Sequence, residues 1–150
     1  IKNLALESFI KLSQEHYLKH NYDFSDKEKM TKVFTYIKQR ISRLDEVSKL
    51  LVPFYENIIL DNQESLDLVN DRNSKYIFNY WYKNLSDIIN EDLINKLIKG
   101  SEQELNCRGK NLFHPLRAVL FGEFNGPDLY TIISILGINE TKKRLKPYIE

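Results

Sequence analysis

Five residues between positions 29 and 43 have side chains suited to contacting a polyanion: Lys29, Lys32, Tyr36, Arg40 and Arg43. On a helix, a step of about 100° per residue places all five within a sector of roughly 80°, beside an apolar stripe. Lysine and arginine neutralise phosphates, and a tyrosine ring or a guanidinium group can stack on or hydrogen-bond to unpaired bases. The alternative interpretation is a solvated helix face whose lysines extend past the core.

A second basic stretch contains no acidic residue until Glu123 and ends near a turn. Its basic members and glycine are Arg108, Gly109, Lys110, His114 and Arg117, and the turn is Asn125, Gly126 and Pro127. Backbone N–H groups at the start of a helix, together with nearby cations, suit contact with phosphate or single-stranded RNA. The alternative is a loop that only joins two helices.

The other titratable residues form no pattern that predicts catalysis or metal binding. His16 and His20 are four residues apart, but they lack the glutamate and the third ligand of a zinc site. Cys107 has no evident catalytic partner, and the basic residues between 142 and 146 most simply complement the negative end of the last helix dipole. An independent enzyme therefore has almost no support in the sequence.

Net charge gives no reason to expect generic binding to polyanions, because 22 Lys and Arg are balanced by 21 Asp and Glu. Any nucleic-acid site must therefore be local.

No apolar run approaches the roughly 18 residues that span a bilayer, so no membrane partner is expected. A single cysteine cannot form an internal disulfide, which fits a cytoplasmic location. Because the chain begins with Ile1 rather than Met, we expect it to be a processed product or an excised piece of a longer protein.

The elements that carry these residues are predicted to be α-helices, because apolar residues recur at i, i+3, i+4 and i+7. In the first half, helices are predicted over 3–20, from a capping box at Ser25 and Glu28 through Leu44, and over 45–51 ahead of Pro53. The polar stretch 62–73 is predicted to hold a short helix followed by a subdomain junction. In the second half they are predicted from Lys75 through Tyr82 and over 90–99, 114–121, 128–136 and 139–147. This pattern divides into two helical subdomains, 1–73 and 74–150.

Glycine and proline set several of the predicted boundaries in the second half. Gly100 is predicted to cap the C-terminus of the helix over 90–99, and Gly137 to separate the last two helices. Pro115 is placed in the first turn of its helix, where its missing N–H would have no partner in any case.

The run GKNLFHPLRAVLFG at 109–122, followed by GPDL at 126–129, resembles the C-terminal signature of bacterial glutamyl-tRNA synthetases, approximately G-K-x-L-F-x-P-L-R-x-A-L-T-G-x-x-x-G-P-x-L. The segments ISILG at 133–137 and KRL at 143–145 are similar to the terminal elements of that family. Upstream, KQRISRL at 38–44 and PFY at 53–55 are similar to its E-R-x-K-T-L segment and the aromatic pair after it. Together these matches cover nearly the whole chain.

The resemblance implies an all-α fold of two small helical subdomains that form the anticodon-binding region of a class I aminoacyl-tRNA synthetase. The implied reaction of the full-length parent is ATP-dependent attachment of glutamate to its tRNA. ATP and magnesium would belong to the catalytic domain, and no cofactor is expected in this chain. The implied partners are the tRNA for glutamate and the catalytic domain of the same polypeptide, and the family suggests a monomer.

The same resemblance implies site residues. An arginine matching Arg40 is implicated in reading the third anticodon base, and positions matching Arg117, Gly126, Pro127 and Leu129 lie against the first two. With Tyr36, Arg43 and Lys110, these residues make up the expected tRNA-binding set.

The sequence departs from the family pattern in places that affect this expectation. Phe121 stands where the family has a threonine, which removes a hydroxyl, and Arg43 replaces another threonine, which leaves open which arginine meets the base. No HIGH-like segment is present, and KLSQ at 11–14 resembles the K-L-S-K loop of the family only superficially, so the chain should catalyse nothing alone. The alternative function is a free-standing helical protein-interaction module, in which the aromatic segment 76–82 forms an interface and Trp81 is exposed.

Overall fold

A computed structural model describes residues 3–149, which form nine α-helices and three short 3₁₀ helices and contain no β-strand. The predicted all-α class is therefore confirmed. The chain divides into two compact units, one ending at Asn57 and the other beginning at Ile58. This division lies before the expected boundary at residue 73, because the helix spanning Gln63–Val69 packs against later helices.

The first unit contains four α-helices: α1 (Leu6–Leu12), α2 (Gln14–Tyr17), α3 (Lys27–Lys38) and α4 (Val47–Tyr55). α3 packs against α1 and α4 around the buried side chains of Phe9, Phe34, Ile37 and Leu51. The predicted continuous helix over 3–20 is wrong. It is interrupted at Ser13, whose buried hydroxyl donates to the Phe9 carbonyl at 2.8 Å, and a 3₁₀ turn then covers Leu18–His20.

The predicted capping box of α3 is also wrong. Asp26 is the N-cap, and its carboxylate accepts a hydrogen bond from the N–H of Lys29 at 3.0 Å. The helix ends at Lys38 rather than at Leu44. The N–H groups beyond it, those of Ser42 and Arg43, donate instead to the Glu46 carboxylate at 2.8 and 3.0 Å, which takes donors that a longer helix would have used.

α4 continues through Pro53, although the sequence predicted a helix ending before this residue. A proline inside a helix removes one backbone hydrogen bond. Here the loss is offset by burial, because Val47, Leu51 and Phe54 recur at helical spacing and are all 0–1% exposed.

The second unit contains α5 (Gln63–Val69), α6 (Arg72–Asn84), α7 (Glu91–Glu104), α8 (Lys110–Phe121) and α9 (Leu129–Leu145), with a 3₁₀ turn over Lys146–Tyr148. α8 contacts α5, α6 and α9, and every residue from Leu116 to Phe121 except Arg117 is buried. The predicted aromatic helix is α6. Its Trp81 is fully buried, and the indole N–H donates to the Ser101 hydroxyl at 2.9 Å.

Two predicted boundaries in this unit are wrong. Gly100 lies inside α7, which continues to Glu104, and a Cβ at this position would collide with the Tyr80 hydroxyl. α8 begins at Lys110 rather than at 114, so Pro115 lies in its interior, where it is buried with Leu112. In both helices, packing against neighbouring helices stabilises the helical conformation at a glycine or proline that locally disfavours it.

Gly137 interrupts α9 with φ 77°, in agreement with the predicted separation of the last two helices. Beyond this kink, Arg144 is buried and its Nη1 donates to the Leu120 carbonyl at 2.8 Å, while its Nε donates to Glu140 at 2.9 Å. Arg144 therefore satisfies a carbonyl at the C-terminus of α8, a role that the dipole interpretation of the 142–146 cluster did not include. Within residues 3–149, no helix is long and apolar enough to cross a membrane.

Candidate nucleic-acid interface

In the first unit, Tyr36 and Arg40 form one contact pair at the end of α3. Tyr36 lies in the last turn, and the chain turns after Lys38 so that the N–H of Arg40 bonds to the Ile37 carbonyl at 2.9 Å. The Arg40 guanidinium lies over the Tyr36 ring, 4.7 Å from its centroid. The Tyr36 ring in turn packs against buried Phe54 in a T-shaped arrangement, with centroids 5.7 Å apart and planes at 77°. An exposed cation is thus held at the surface on a ring that the core supports.

Arg43 is in a different environment. Its Nε lies 3.2 Å from the Asp45 carboxylate, and both side chains are largely exposed. Its backbone N–H, together with that of Ser42, donates to Glu46, and these two hydrogen bonds lower the pKa of the Glu46 carboxyl. An exposed ion pair of this kind contributes little stability, but it occupies part of the Arg43 guanidinium.

The two lysines of the predicted stripe are also engaged. Lys32 pairs with Glu28 at 3.4 Å, one turn earlier on α3. The Lys29 ammonium lies 4.4 Å from the centre of the Tyr55 ring, and burial raises the pKa of the Tyr55 hydroxyl, which stays neutral. The structure therefore divides the stripe, and of its expected tRNA-binding members it brings Tyr36 and Arg40 into contact.

In the second unit, Arg117 connects α8 to the turn that precedes α9. Its Nε donates to the carbonyl of Pro127 at 3.0 Å, and its guanidinium lies 5.6 Å from the centre of the Phe113 ring. Pro127 is buried, so this hydrogen bond fixes the end of the Asn125–Gly126–Pro127 turn against α8.

Arg117 also lines a cavity of about 270 Å³ between α7, α8 and the start of α9. The apolar wall includes Phe113 and Leu129, and polar groups are supplied by the residues Glu91, Asn95, Arg117 and Asp128. A pocket with an aromatic side and a few polar groups is suited to an unstacked base. Glu91 and Asn95 were not expected from the sequence, and their only signal there is their i, i+4 spacing on a polar helix face.

Gly126 is required by packing. A Cβ at this position would lie 2.6 Å from the Phe121 ring, and Phe121 is buried. The aromatic side chain that replaces the family threonine therefore occupies the space beside this glycine. The structure brings together Arg117, Gly126, Pro127 and Leu129 of the expected set.

Lys110 is not part of this group. It lines a separate open groove of about 420 Å³ with His114, whose ring stacks on Phe124 at 4.7 Å, and with three carboxylate residues, Glu64, Asp67 and Asp71. Lys110 follows the N-cap Gly109, which has φ 59° and provides no side-chain cap. The acidic residues of this groove make it a poor surface for phosphate, apart from the exposed first turn of α8.

The chain matches the family model described as anticodon binding domain over residues 7–149, which includes nearly all of both units. The chain belongs to the anticodon-binding domain family. It is 29% identical over 152 residues to a glutamate–tRNA ligase of Carboxydothermus hydrogenoformans, a match covering 97% of this chain and 32% of that protein. It is 32% identical over 130 residues to a glutamate–tRNA ligase of Sulfurihydrogenibium sp., covering 84% of this chain and 27% of the relative.

A solved structure of a glutamate tRNA ligase from Elizabethkingia meningosepticum has the same fold over 97% of this chain and 29% of its own, with a TM-score of 0.81 at 17% identity. This anticodon-binding domain therefore spans about a third of the length of the curated relatives it matches. The predicted resemblance to glutamate–tRNA ligases is confirmed, and the matched part is their anticodon-binding region.

Burial within the second unit of this anticodon-binding domain disfavours the alternative of a protein-interaction module built on segment 76–82. Ile77, Phe78 and Trp81 are all fully buried, and Tyr76 alone in that segment is more than half exposed. Within residues 3–149, no group of three or more His, Cys, Asp or Glu side chains could hold a metal ion.

Proposed function

We propose that this domain recognises the anticodon of a glutamate tRNA and forms part of a glutamate–tRNA ligase. The observation that carries the proposal is the state of two arginines, Arg40 and Arg117. Each guanidinium lies over an aromatic ring, and neither is in an ion pair within the described part of the chain. Such groups can offer donors to base edges, because they need not first be released from a carboxylate.

Arg40, rather than Arg43, is the arginine of the first unit that we assign to base recognition. Arg43 would have to give up its contact with Asp45, whereas Arg40 is exposed and already oriented on Tyr36. In the second unit we assign a base to the cavity lined by Arg117 and Leu129, and Gly126 and Pro127 belong to the turn that Arg117 holds. Lys110 at the start of α8 is assigned to a phosphate.

The remaining features of the proposal concern the whole protein. The parent would attach glutamate to its tRNA at the expense of ATP, with ATP and magnesium bound by a catalytic domain outside this chain. The partners of this domain would then be the tRNA and that catalytic domain, in a monomeric cytoplasmic enzyme. Its own contribution would be discrimination between tRNAs and not bond making.

The first test is binding of this chain to a glutamate tRNA transcript and to a version with a scrambled anticodon, at two salt concentrations. We expect tighter binding of the native anticodon, with a preference that persists at the higher salt, because base contacts depend less on released counterions than phosphate contacts do. Equal binding of both transcripts that disappears with salt would contradict base recognition.

Arginine variants locate the site within that assay. Arg40→Ala and Arg117→Ala should each weaken binding of the native transcript by about 1–3 kcal/mol and reduce its preference over the scrambled one. Arg72→Ala is the matched control, because Arg72 is an exposed arginine at the start of α6, outside both sites. Normal binding by both test variants would show that the site assignment is wrong.

A further inference from the structure

The two arginines assigned to bases share a local arrangement. Tyr36 precedes Arg40 by four residues, and Phe113 precedes Arg117 by four residues. In each case the guanidinium lies over the earlier ring, at 4.7 Å in the first pair and 5.6 Å in the second. Both distances are within the range of a cation–π contact.

The two pairs differ in what else holds the arginine. Arg117 also donates through Nε to the Pro127 carbonyl, so its orientation has a second support. Within the described residues, the Arg40 side chain contacts Tyr36 alone, and its backbone N–H bonds to the turn carbonyl of Ile37. The orientation of the Arg40 side chain therefore depends mainly on one ring.

That ring is itself fixed. Tyr36 lies in the last turn of α3, and its ring packs in a T-shaped arrangement with Phe54, which is 1% exposed and belongs to α4. A core residue, a half-buried ring and an exposed guanidinium thus form a continuous series of contacts. A free arginine side chain samples many rotamers. A fixed ring beneath the guanidinium limits these rotamers before binding, so less conformational entropy is lost when the arginine binds.

We infer that Tyr36 is a positioning residue that holds the Arg40 guanidinium ready for a nucleobase, and that it does not itself stack on or hydrogen-bond to RNA. This inference rests on the proposed function. It changes the role expected for Tyr36 from the sequence, where the ring was a candidate contact of the tRNA. One face of the Tyr36 ring is already covered by the Arg40 guanidinium, and the ring also packs in a T-shaped arrangement with Phe54.

The test compares Tyr36→Leu, which removes the ring, with Tyr36→Phe, which keeps the ring and removes the hydroxyl. Binding is measured against the native tRNA transcript and a panel with single changes at each anticodon position. We expect Tyr36→Leu to weaken native binding about two- to fivefold, the size of a cation–π contact at an exposed site. The loss should be confined to the anticodon position whose preference disappears in Arg40→Ala, and Tyr36→Phe should restore it.

A double variant separates positioning from direct contact. In the Arg40→Ala background, Tyr36→Leu should cause no further loss, because no guanidinium remains to be positioned. An equal loss in both backgrounds, or a loss in Tyr36→Phe as large as in Tyr36→Leu, would overturn the inference, since the tyrosine would then contact RNA itself. Tyr76→Leu is the matched control for removing a surface tyrosine, because Tyr76 is 53% exposed on α6.

A measurement without RNA separates failure of this inference from failure of the proposed function. Nitrogen relaxation of the Arg40 side-chain Nε–H should show restricted motion in the native chain and in Tyr36→Phe, and free motion in Tyr36→Leu. Free motion in the native chain would overturn the positioning role whatever the tRNA results. Restricted motion combined with no anticodon preference in any variant would instead contradict the proposed function.

Discussion

Arg117 offers the sharpest test of the proposed recognition, because its guanidinium makes one hydrogen bond within the protein and another contact is proposed with RNA. Replacing it by lysine keeps the positive charge but removes the Nε donor and the planar guanidinium. The loss of the Nε donor and the loss of the planar guanidinium can be measured separately. Stability should report the hydrogen bond to Pro127, and tRNA affinity should report the contact with a base.

For stability, a hydrogen bond from a charged donor is worth about 1.5–3 kcal/mol when buried. Arg117 is only half-buried, so we expect Arg117→Lys to lower the free energy of unfolding by about 1–2 kcal/mol. Denaturant titration followed by the fluorescence of Trp81 reports unfolding of the second compact unit, to which Arg117 belongs. Trp81 is the chain's single tryptophan and is buried in that unit.

For binding, loss of a good bidentate contact costs about 1–3 kcal/mol, or roughly 5- to 150-fold in affinity. We expect Arg117→Lys to lose affinity for the native anticodon within this range, while the dependence of binding on salt stays unchanged, because the charge is kept. The assay is fluorescence titration of the transcript at several salt concentrations. If the lysine variant binds the native and scrambled transcripts as the unaltered chain does, Arg117 supplies charge alone and the base contact is refuted.

Further expected outcomes concern the packing around the sites. Gly126→Ala should destabilise the second unit by about 1–3 kcal/mol, because its Cβ would collide with the ring of Phe121, and adding Phe121→Leu should recover most of the loss in denaturant titration. Arg144→Met should cost about 2–3 kcal/mol in the same assay, because a carbonyl at the end of α8 loses its charged donor; an unchanged midpoint would contradict this role. Glu46→Gln should destabilise the first unit at neutral pH. Since hydrogen bonds lower the folded-state pKa of this carboxyl, its stabilisation is present above the ordinary carboxyl pKa and is lost as the pH falls. The difference in circular-dichroism melting between native chain and variant should therefore narrow in acid, and a difference independent of pH would refute the assignment.

Periodicity predicted the helices whose stability comes from apolar burial. The aromatic helix of the second unit was predicted because Tyr76 through Tyr82 could not all face water, and α6 buries Ile77, Phe78 and Trp81 as expected. The break at Gly137 was predicted for a similar local reason, since a glycine between two apolar patterns permits the positive φ found there.

The wrong boundaries predicted at glycine and proline have one physical cause. Pro53, Gly100 and Pro115 are all residues that locally disfavour a helix, and all three lie inside one. Each has buried neighbours on its own helix, such as Phe54 beside Pro53 and Leu116 beside Pro115. The free energy from burying those neighbours depends on helices distant in sequence, so a local preference could not reveal it.

The candidate sites show the same division between local and distant information. The Tyr36–Arg40 and Phe113–Arg117 pairs are visible in the sequence as an aromatic residue followed by arginine one turn later. The partners that complete them, Phe54 and the Pro127 carbonyl, come from other elements. The sequence could therefore predict the two arginines but not what holds them.

What holds them also limits how each arginine can meet a base. A guanidinium has five N–H donors, and two neighbouring donors are needed for a bidentate contact. At Arg117 the Nε donor is used by Pro127, so only the end formed by its two terminal nitrogens remains for such a contact. Arg40 keeps its Nε edge available in the described part of the chain, because it is held through the face of its guanidinium and not through a hydrogen bond. We therefore expect Arg117 to meet its base end-on, and Arg40 to be able to present either its side or its end.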